Sequence, residues 1–296
     1  MSFEARRIPV IVNPASGPDL PVLKLLNRAF KAAARDWELL VTKQAGDAHH
    51  LARQLREAEE PLIAVYGGDG TLKEVAAALA GSAVALAILP GGTGNALATD
   101  LGLSWELGAA VALACRPRPA LRAVDLGQLG EHVFVLRASL GLETELLRST
   151  DRALKDQLGQ LAYTLTALQK LGTITPTRYR LTIDGRVIGT EGVQCTIANS
   201  AQMGVTGLAL AQGVSVSDGL LDVIVLSGVD LPALAAIATS NFLGQDLGVE
   251  VQHWQGRHIQ VEADPPQAVA FGGDLIAQTP VTVQVLPAAL RVVVPA

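Results

Sequence analysis

Cysteine, charge and basic residues are all scarce in this 296-residue sequence. Only two cysteines occur, Cys115 and Cys195, each inside an apolar run, so we expect free buried thiols rather than a disulfide or a metal site. The formal net charge is −5, whereas a protein that binds nucleic acid needs a basic surface, so no nucleic-acid partner is expected. The same acidic balance disfavours strong electrostatic attachment to anionic membranes.

Long uninterrupted apolar segments are also missing. Residues 75–99 and 192–217 carry no charge, but Gly, Pro, Asn or Ser residues break both stretches, and neither has the pattern of a membrane span. The apolar run near the N-terminus stops at Asn13-Pro14, which is too short for a secretory signal. We therefore expect a cytoplasmic protein, peripheral to the membrane at most, whose contact with lipid is transient.

The length and the apolar content indicate a globular protein with two domains. The chain exceeds one average domain, and 49% of its residues are apolar against 17% charged, which is enough to fill sizeable cores. The character of the sequence changes near residue 120. We place an α/β domain at residues 1–124 and a β-rich domain at residues 125–282, with the last strand, residues 283–296, returning to the first domain.

The two predicted domains differ in their hydrophobic periodicity. The first alternates short apolar strands with helical segments, a pattern typical of a parallel sheet covered on both faces. In the second, alternating runs predict antiparallel strands, and Asp184-Gly185 is a hairpin signal. These runs lie at residues 133–137, 178–183, 193–198, 221–226 and 258–262, and helical segments are predicted at residues 154–170 and 231–243.

Two glycine-rich turns are the most informative feature of the chain. Gly67-Gly68-Asp69-Gly70-Thr71 and Gly91-Gly92-Thr93-Gly94-Asn95 each follow a buried strand and open a helix. A helix start offers free N–H groups and the positive end of the helix dipole, which suit phosphate. Glycine lets the backbone approach phosphate oxygens because it has no Cβ. We therefore predict that both turns bind phosphate.

The carboxylate of Asp69 is unusual among phosphate-binding amides. It would repel phosphate unless it holds a metal ion or takes a proton from a nucleophile, and both roles occur in phosphoryl transfer. The alternative is that Asp69 is only a turn residue or a helix cap. The P-loop, the G-x-G-x-x-G fingerprint and the H-R-D and D-F-G motifs of other phosphate-binding families are missing.

With a third turn, Asn13-Pro14-Ala15-Ser16-Gly17, these motifs resemble the diacylglycerol kinase catalytic-domain family. That family also includes sphingosine and ceramide kinases and bacterial soluble lipid kinases. Weaker landmarks follow in matching order along the chain: Asp125-Leu126-Gly127, Ala138-Ser139-Leu140-Gly141, Leu158-Gly159 with Tyr163, Asn199 and Asp218-Gly219-Leu220-Leu221-Asp222. The resemblance implies an N-terminal nucleotide-binding domain like that of NAD kinases and phosphofructokinases, and a C-terminal β-sandwich domain that carries the lipid site.

The resemblance also implies a reaction and a set of site residues. An ATP-dependent lipid kinase would transfer the γ-phosphoryl group to the hydroxyl of a diacylglycerol-like or related lipid, with Mg²⁺ present and ATP in the cleft between the domains. The residues implied for ATP are Asn13, Ser16, Gly67, Gly68, Gly70, Thr71, Gly91, Gly92, Thr93, Gly94 and Asn95. Asp69 and Asp274 would be catalytic, and Asp69, Asp125, Asp218 and Asp222 are candidate metal ligands. For the last three aspartates, a turn or capping role is equally open.

Four departures from the family pattern keep alternatives open. Pro18 follows Gly17 where the family has Gly and then a cation, Lys73 and Arg137 stand where Asn is usual, and Gly272-Gly273-Asp274 stands for Asp-Gly-Glu. One alternative is a NAD kinase relative that uses the same Gly-Gly-Asp-Gly-Thr turn, although the Asn-Glu dipeptide expected of NAD kinases is absent. The other is a catalytically weak lipid- or nucleotide-binding member. The lipid acceptor is not readable from the sequence, and a homodimer is one assembly that it permits.

Overall fold

The N-terminal part of the fold is an alternation of strands and helices. The computed structural model describes residues 7–149, 175–200, 202, 211–227 and 251–296. The elements of the first part are β1 (Arg7–Val12), α1 (Val22–Ala32), β2 (Asp36–Val41), α2 (Asp47–Glu57), β3 (Leu62–Gly67), α3 (Asp69–Leu79), β4 (Ala85–Pro90), α4 (Ala96–Asp100) and α5 (Leu107–Ala114). Every residue of β3 and β4 is buried, as the continuous apolar runs predict for strands covered on both faces.

The rest of the described chain is mostly strand. Its elements are β5 (Ala120–Leu129), β6 (His132–Phe134), β7 (Arg137–Gly141), α6 (Leu142–Ser149), β8 (Thr177–Ile183), β9 (Arg186–Gly192), β10 (Gln194–Ala198), β11 (Leu221–Leu226), β12 (Val251–Gly256), β13 (His258–Asp264), β14 (Ala268–Phe271), β15 (Asp274–Gln278) and β16 (Val281–Val294). Asp184 and Gly185, both with positive φ, form the predicted hairpin turn between β8 and β9.

Two sheets organise these strands. The larger has the order β2-β1-β3-β4-β16-β13-β8-β9, with β5 also paired to β16 and β6, and its first four strands are parallel. The smaller, β12-β11-β10-β7-β14-β15, is antiparallel. One apolar core joins the two sheets through Leu181, Ile259 and Val283 of the larger and Ile197, Val223 and Val269 of the smaller. The predicted fold class, an α/β domain with a C-terminal β-sandwich, is confirmed.

Strand β16 belongs to both parts of the molecule. Its first residues pair with β13 in the sandwich, and its last residues pair in parallel with β4, where Arg291 lies opposite Ala85. Strand β5 runs antiparallel to β16 on both sides of a register shift between Leu286 and Leu290. The larger sheet is therefore continuous between the two parts, while the smaller sheet belongs to the sandwich alone.

One predicted strand is wrong. Residues 133–137 are the end of β6, a bend at residues 135 and 136, and the start of β7. The alternation is misleading because the carbonyls of the bend bind other groups: the Val135 oxygen accepts from Asn199 Nδ2 at 2.8 Å, and the Leu136 oxygen accepts from the amides of Asn199 and Ser200. The predicted helices at residues 154–170 and 231–243, and the landmarks Leu158-Gly159 and Tyr163, lie outside the described residues.

Two smaller expectations concern thiols and membrane spans. Cys115 and Cys195 are both buried and free, as predicted. None of the helices in the described ranges has the length and the apolar character needed to cross a bilayer.

Asp125 holds the register shift of β16. It is 3% exposed, its Oδ1 accepts from the Ala288 amide at 2.6 Å, and its Oδ2 accepts from the Gly219 amide at 2.6 Å. Ala288 lies in the shifted segment and has a φ of 53°. The carboxylate thus satisfies two backbone donors that the sheet ladder does not use, and each would be costly to bury without a partner.

We predict that Asp125→Asn lowers the free energy of unfolding by about 1–3 kcal/mol, because the amide keeps one acceptor oxygen and turns an NH₂ donor towards the second backbone N–H. Urea unfolding measures this change. Asp19→Asn, at an exposed position, is the matched control and should be neutral. Equal stability of the Asp125 variant and the unmutated protein would contradict the role assigned to Asp125.

Candidate functional site

Three turns meet at the carboxyl ends of the neighbouring strands β1, β3 and β4. The Asn13 amide donates to the Tyr66 oxygen at 2.9 Å, and the Gly91 amide donates to the Gly67 oxygen at 3.0 Å. The turns touch through glycines: a Cβ at Gly17 would lie 2.0 Å from the Gly91 oxygen. The structure therefore brings the three turns that the sequence singled out into one cluster, at the sheet edge where α/β proteins bind ligands.

Polar side chains of the turns bind the neighbouring turns. Asn13 Nδ2 donates to Thr71 Oγ1 at 2.9 Å, and Ser16 Oγ accepts from the Gly68 amide at 3.2 Å. Asn95 closes its own turn, because its Oδ1 accepts from the Gly92 amide at 3.0 Å and its Nδ2 donates to the Gly92 oxygen at 2.8 Å. These residues fix the shape of the cluster, and their contact with ATP stays a prediction.

Asp69 is the first residue of α3 and reaches across to the next helix. Its Oδ1 accepts from the Ala96 amide, at the start of α4, at 2.8 Å. Burial raises the pKa of the Asp69 carboxyl, while the Ala96 hydrogen bond and the positive charge of Arg137 act in the opposite direction. The N-cap residue of α3, Gly68, has no side chain to cap the helix, and the space beside Gly70 is open, so the N–H groups of this turn can bind an anion.

A cleft of about 250 Å³ separates this end of α3 from the sandwich. The N-terminal part contributes Asp69, Gly70, Leu72, Lys73 and Ala96, and the other wall consists of Val135, Leu136, Arg137, Glu143, Phe271, Gly272 and Gly273. Asn13, Ser16 and the 91–95 turn are not among the residues that line it. Of the predicted ATP and catalytic residues, only Asp69 and Gly70 face this cleft directly.

Lys73 and Arg137, the two cations that stand where Asn is usual in the family pattern, both line the cleft. Lys73 Nζ lies 3.6 Å from Asp274 Oδ2, so the predicted catalytic Asp274 stands at the rim opposite α3. Arg137 Nη1 donates to the Gln202 oxygen at 2.9 Å, and its Nε lies 3.8 Å from Glu143 Oε2. The sequence analysis missed Glu143 and Phe271 as cleft residues. Phe271 had a weak signal, since it directly precedes the Gly272-Gly273 pair, and Glu143 had none.

The other candidate metal ligands lie away from the cleft lining. Asp218 Oδ1 accepts from the Leu220 amide at 3.0 Å in the turn that also contacts Asp125. Asp222 is fully buried, and its Oδ1 lies 2.6 Å from His253 Nε2 and accepts from Gln255 Nε2 at 3.0 Å. Burial raises the pKa of the Asp222 carboxyl, and these two hydrogen bonds oppose the shift. Metal binding at Asp125, Asp218 and Asp222 stays a prediction.

An apolar hollow of about 440 Å³ opens beside the first turn, at the carboxyl ends of β1 and β2. It is lined by Val12, Pro14, Leu20, Pro21, Val22, Leu23, Lys24 and Val41. Leu20 and Leu23 are among the exposed large apolar side chains of the described chain. The hollow thus offers an apolar surface next to the turns that are predicted to bind phosphate.

Two models of known protein families match this chain. Residues 7–129 match the diacylglycerol kinase catalytic domain, and residues 137–294 match the YegS C-terminal NAD kinase beta sandwich-like domain. The chain belongs to the diacylglycerol kinase family. The resemblance inferred from the three turns is therefore confirmed, and the two matches together extend from β1 to the end of β16.

Several relatives show the extent of this family membership. The chain is 31% identical over 249 residues to the diacylglycerol kinase of Bacillus subtilis, covering 82% of this chain and 80% of that one. It is 33% identical over 273 residues to a "probable lipid kinase YegS-like" of Pseudomonas aeruginosa PAO1, covering 90% and 88%. An uncharacterized Synechocystis protein is 31% identical over 269 residues, and the chain spans 61% of its length.

Solved structures extend the likeness to three dimensions. The crystal structure of a candidate diacylglycerol kinase from Bacillus anthracis str. Sterne superposes with a TM-score of 0.78 at 25% identity, covering 98% of each chain. A diacylglycerol kinase family fold therefore accounts for the whole described chain.

The contact between the second and third turns yields a prediction for this family member. A Cβ at Gly92 would lie 2.5 Å from the Gly68 Cα. Gly92→Ala should therefore push the two turns apart, lower the free energy of unfolding by about 1–3 kcal/mol and weaken ATP binding at least about tenfold. Gly189→Ala in β9, with no atom within 4 Å of its Cβ, is the control. Calorimetric titration with ATP decides, and unchanged binding by the Gly92 variant would contradict the phosphate role of this cluster.

Proposed function

We propose that this chain is an ATP-dependent lipid kinase, which transfers the γ-phosphoryl group to a lipid hydroxyl. The observation that carries the proposal is the Asp69 carboxylate, half-buried at the N-terminus of α3 and facing Arg137 across the cleft. An acid beside free amides suits phosphoryl transfer, because the amides bind phosphate and the acid orients the attacking hydroxyl. Relatives of this chain are named as a diacylglycerol kinase and as lipid kinases, which supports the choice of lipid as the acceptor.

The arrangement of the site suggests how ATP would lie. The apolar hollow beside Pro14 suits the purine base, which needs apolar surface. The three glycine turns next to it suit the phosphates, since their backbone amides can be approached closely. The γ-phosphate would then point past Asp69 into the cleft, where the acceptor hydroxyl enters from the sandwich side.

Mg²⁺ fits this site as a partner of the nucleotide. Among the residues that the structure describes, no group of three or more His, Cys, Asp or Glu could hold a metal ion by itself. Mg²⁺ is commonly bound by one or two carboxylates together with substrate phosphates and waters, and Asp69 has a second oxygen, Oδ2, beyond the one that binds Ala96. The ion would neutralise charge on the transferred phosphoryl group.

Charged side chains at the cleft have further roles in the proposed reaction. Burial raises the pKa of Asp69, which makes this carboxylate a better proton acceptor than an exposed one. Asp274, held beside Lys73, lies close enough to the cleft to serve as the second acid of the reaction. Arg137 brings positive charge to the cleft, where negative charge accumulates during transfer.

The alternative of a NAD kinase relative has less support. The C-terminal match names a sandwich like that of NAD kinases, which describes a fold, whereas the relatives quoted above are named for lipids. A lipid acceptor also implies transient contact with a membrane from the cytoplasm. Assays with NAD and with lipid as acceptors separate the two enzymes.

A screen with labelled ATP tests the proposed function. Purified protein, Mg²⁺ and a panel of diacylglycerol, sphingoid, glycerophospholipid and NAD acceptors should give a labelled lipid, identified by mass. Asp69→Asn should reduce turnover by at least about 10²-fold while the protein stays folded, because it removes the charge but keeps the size of the side chain. Labelling of NAD alone, or full activity of the folded Asp69 variant, would contradict the proposal.

A second test concerns the metal. The protein should bind MgATP more tightly than ATP alone, because a cation is needed to bring the Asp69 carboxylate and the phosphates together. Calorimetric titrations with Mg²⁺ and with EDTA measure the difference. It should shrink in Asp69→Asn, and equal affinities in the unmutated protein would count against a metal at this site.

A further inference from the structure

Lys73 occupies a position from which it can act on both walls of the cleft. It follows Asp69 by four residues in α3, so both side chains lie on the same face of the helix, and both line the cleft. The Lys73 side chain is only 24% exposed. A lysine on a free helix surface would extend into water, whereas this one crosses to the sandwich.

The far end of Lys73 meets the hairpin of β14 and β15. Its Nζ lies 3.6 Å from Asp274 Oδ2 and 4.7 Å from the centre of the Phe271 ring. The second distance lies within the usual range of cation–π contacts, about 6 Å. Asp274 itself is 57% exposed, so its carboxylate depends on neighbouring contacts for a fixed position.

The turn of this hairpin is shaped around Lys73. A Cβ at Gly272 would lie 2.8 Å from Lys73 Nζ and 2.9 Å from Lys73 Cδ. Gly272 and Gly273 have φ values of 57° and 91°, which let the chain turn closely over the lysine stem. Phe271, Gly272 and Asp274 therefore surround one side chain that comes from the other part of the molecule.

We propose that Lys73 is a positioning residue, which holds the Asp274 carboxylate and the 271–274 turn against the cleft opposite Asp69. This role rests on the proposed function only for its effect on the reaction. It also relates two of the departures from the family pattern. Lys73, which is longer than the usual Asn, extends to Asp274, which is shorter than the usual Glu. A displacement of about 1 Å at a reacting group can lower a rate about 10²-fold, so a contact that restrains the Asp274 carboxylate bears directly on turnover.

Steady-state kinetics separate positioning from direct binding of phosphate. Lys73→Met keeps the length and apolar stem but removes the charge, so kcat should fall about tenfold or more while the KM for ATP changes less than about twofold. Lys73→Arg should recover most of the lost activity. Lys31→Met, at an exposed position of α1, is the matched control and should behave like the unmutated protein.

A double variant tests whether Lys73 acts through Asp274. If it does, Lys73→Met combined with Asp274→Asn should be no slower than Asp274→Asn alone, because the second change removes nothing further. Independent losses that multiply, or a loss confined to the KM for ATP, would show that Lys73 contacts the nucleotide instead and would overturn the proposal. Unchanged kcat in a folded Lys73→Met variant would do the same.

Hydrogen exchange tests the positioning without any assay of activity. In Lys73→Met, amides of residues 271–274 should exchange several times faster, whereas Lys31→Met and Asp69→Asn should leave them unchanged. If no lipid is phosphorylated by the unmutated protein, the proposed function fails, and faster exchange still assigns the hairpin contact to Lys73. Unchanged exchange in Lys73→Met overturns the positioning role whatever the kinetics show.

Discussion

The cleft depends on the way in which β16 passes from the sandwich into the parallel sheet. Its first residues pair with β13 of the sandwich and its last with β4 of the parallel sheet, so one strand links the two parts between which the cleft lies. The passage requires a register shift, and the buried Asp125 carboxylate binds the Ala288 amide that this shift exposes. Its other oxygen fixes the Gly219 turn. The larger sheet thus runs through both parts, and the β14–β15 hairpin, in the smaller sheet, is held against it by the shared apolar core that includes Val269 and Val283.

The second constraint is the space between the glycine turns. At Gly17 and Gly92 a Cβ would collide with backbone atoms of a neighbouring turn, so these positions are set by packing between turns and not only by the approach of a ligand. The hydrogen bonds of Asn13 and Ser16 serve the same end. A rigid cluster of this kind would keep its free amides in place before a phosphate ligand binds, which is the condition for effective electrostatic stabilisation of a transition state.

The sequence allowed prediction of those features that depend on local pattern. The buried strands β3 and β4, the turns that follow them and the Asp184-Gly185 hairpin carry their signals within a few residues. The strand predicted at residues 133–137 failed because its carbonyls bind Asn199, more than sixty residues away in the chain. The pairing of Lys73 with Asp274 was equally invisible, since it depends on how the strands bring the two walls together. Local patterns thus predicted the turns, and tertiary packing decided which side chains face one another.

Three of the departures from the family pattern, at positions 73, 137 and 274, are charged residues in or at the rim of the cleft. Lys73 and Arg137 are the two cations that line it, Asp69 and Glu143 are its carboxylates, and Asp274 adds a third carboxylate at the rim, so the acids outnumber the bases by one. Each cation lies near a carboxylate on the sandwich side, at Asp274 and Glu143 respectively, and the remaining acid, Asp69, lies at the start of α3. Phosphates bound at this helix start, as proposed, would add further negative charge beside Asp69. Because each side-chain cation lies near an acid, such a site would favour a divalent cation alongside any phosphate ligand.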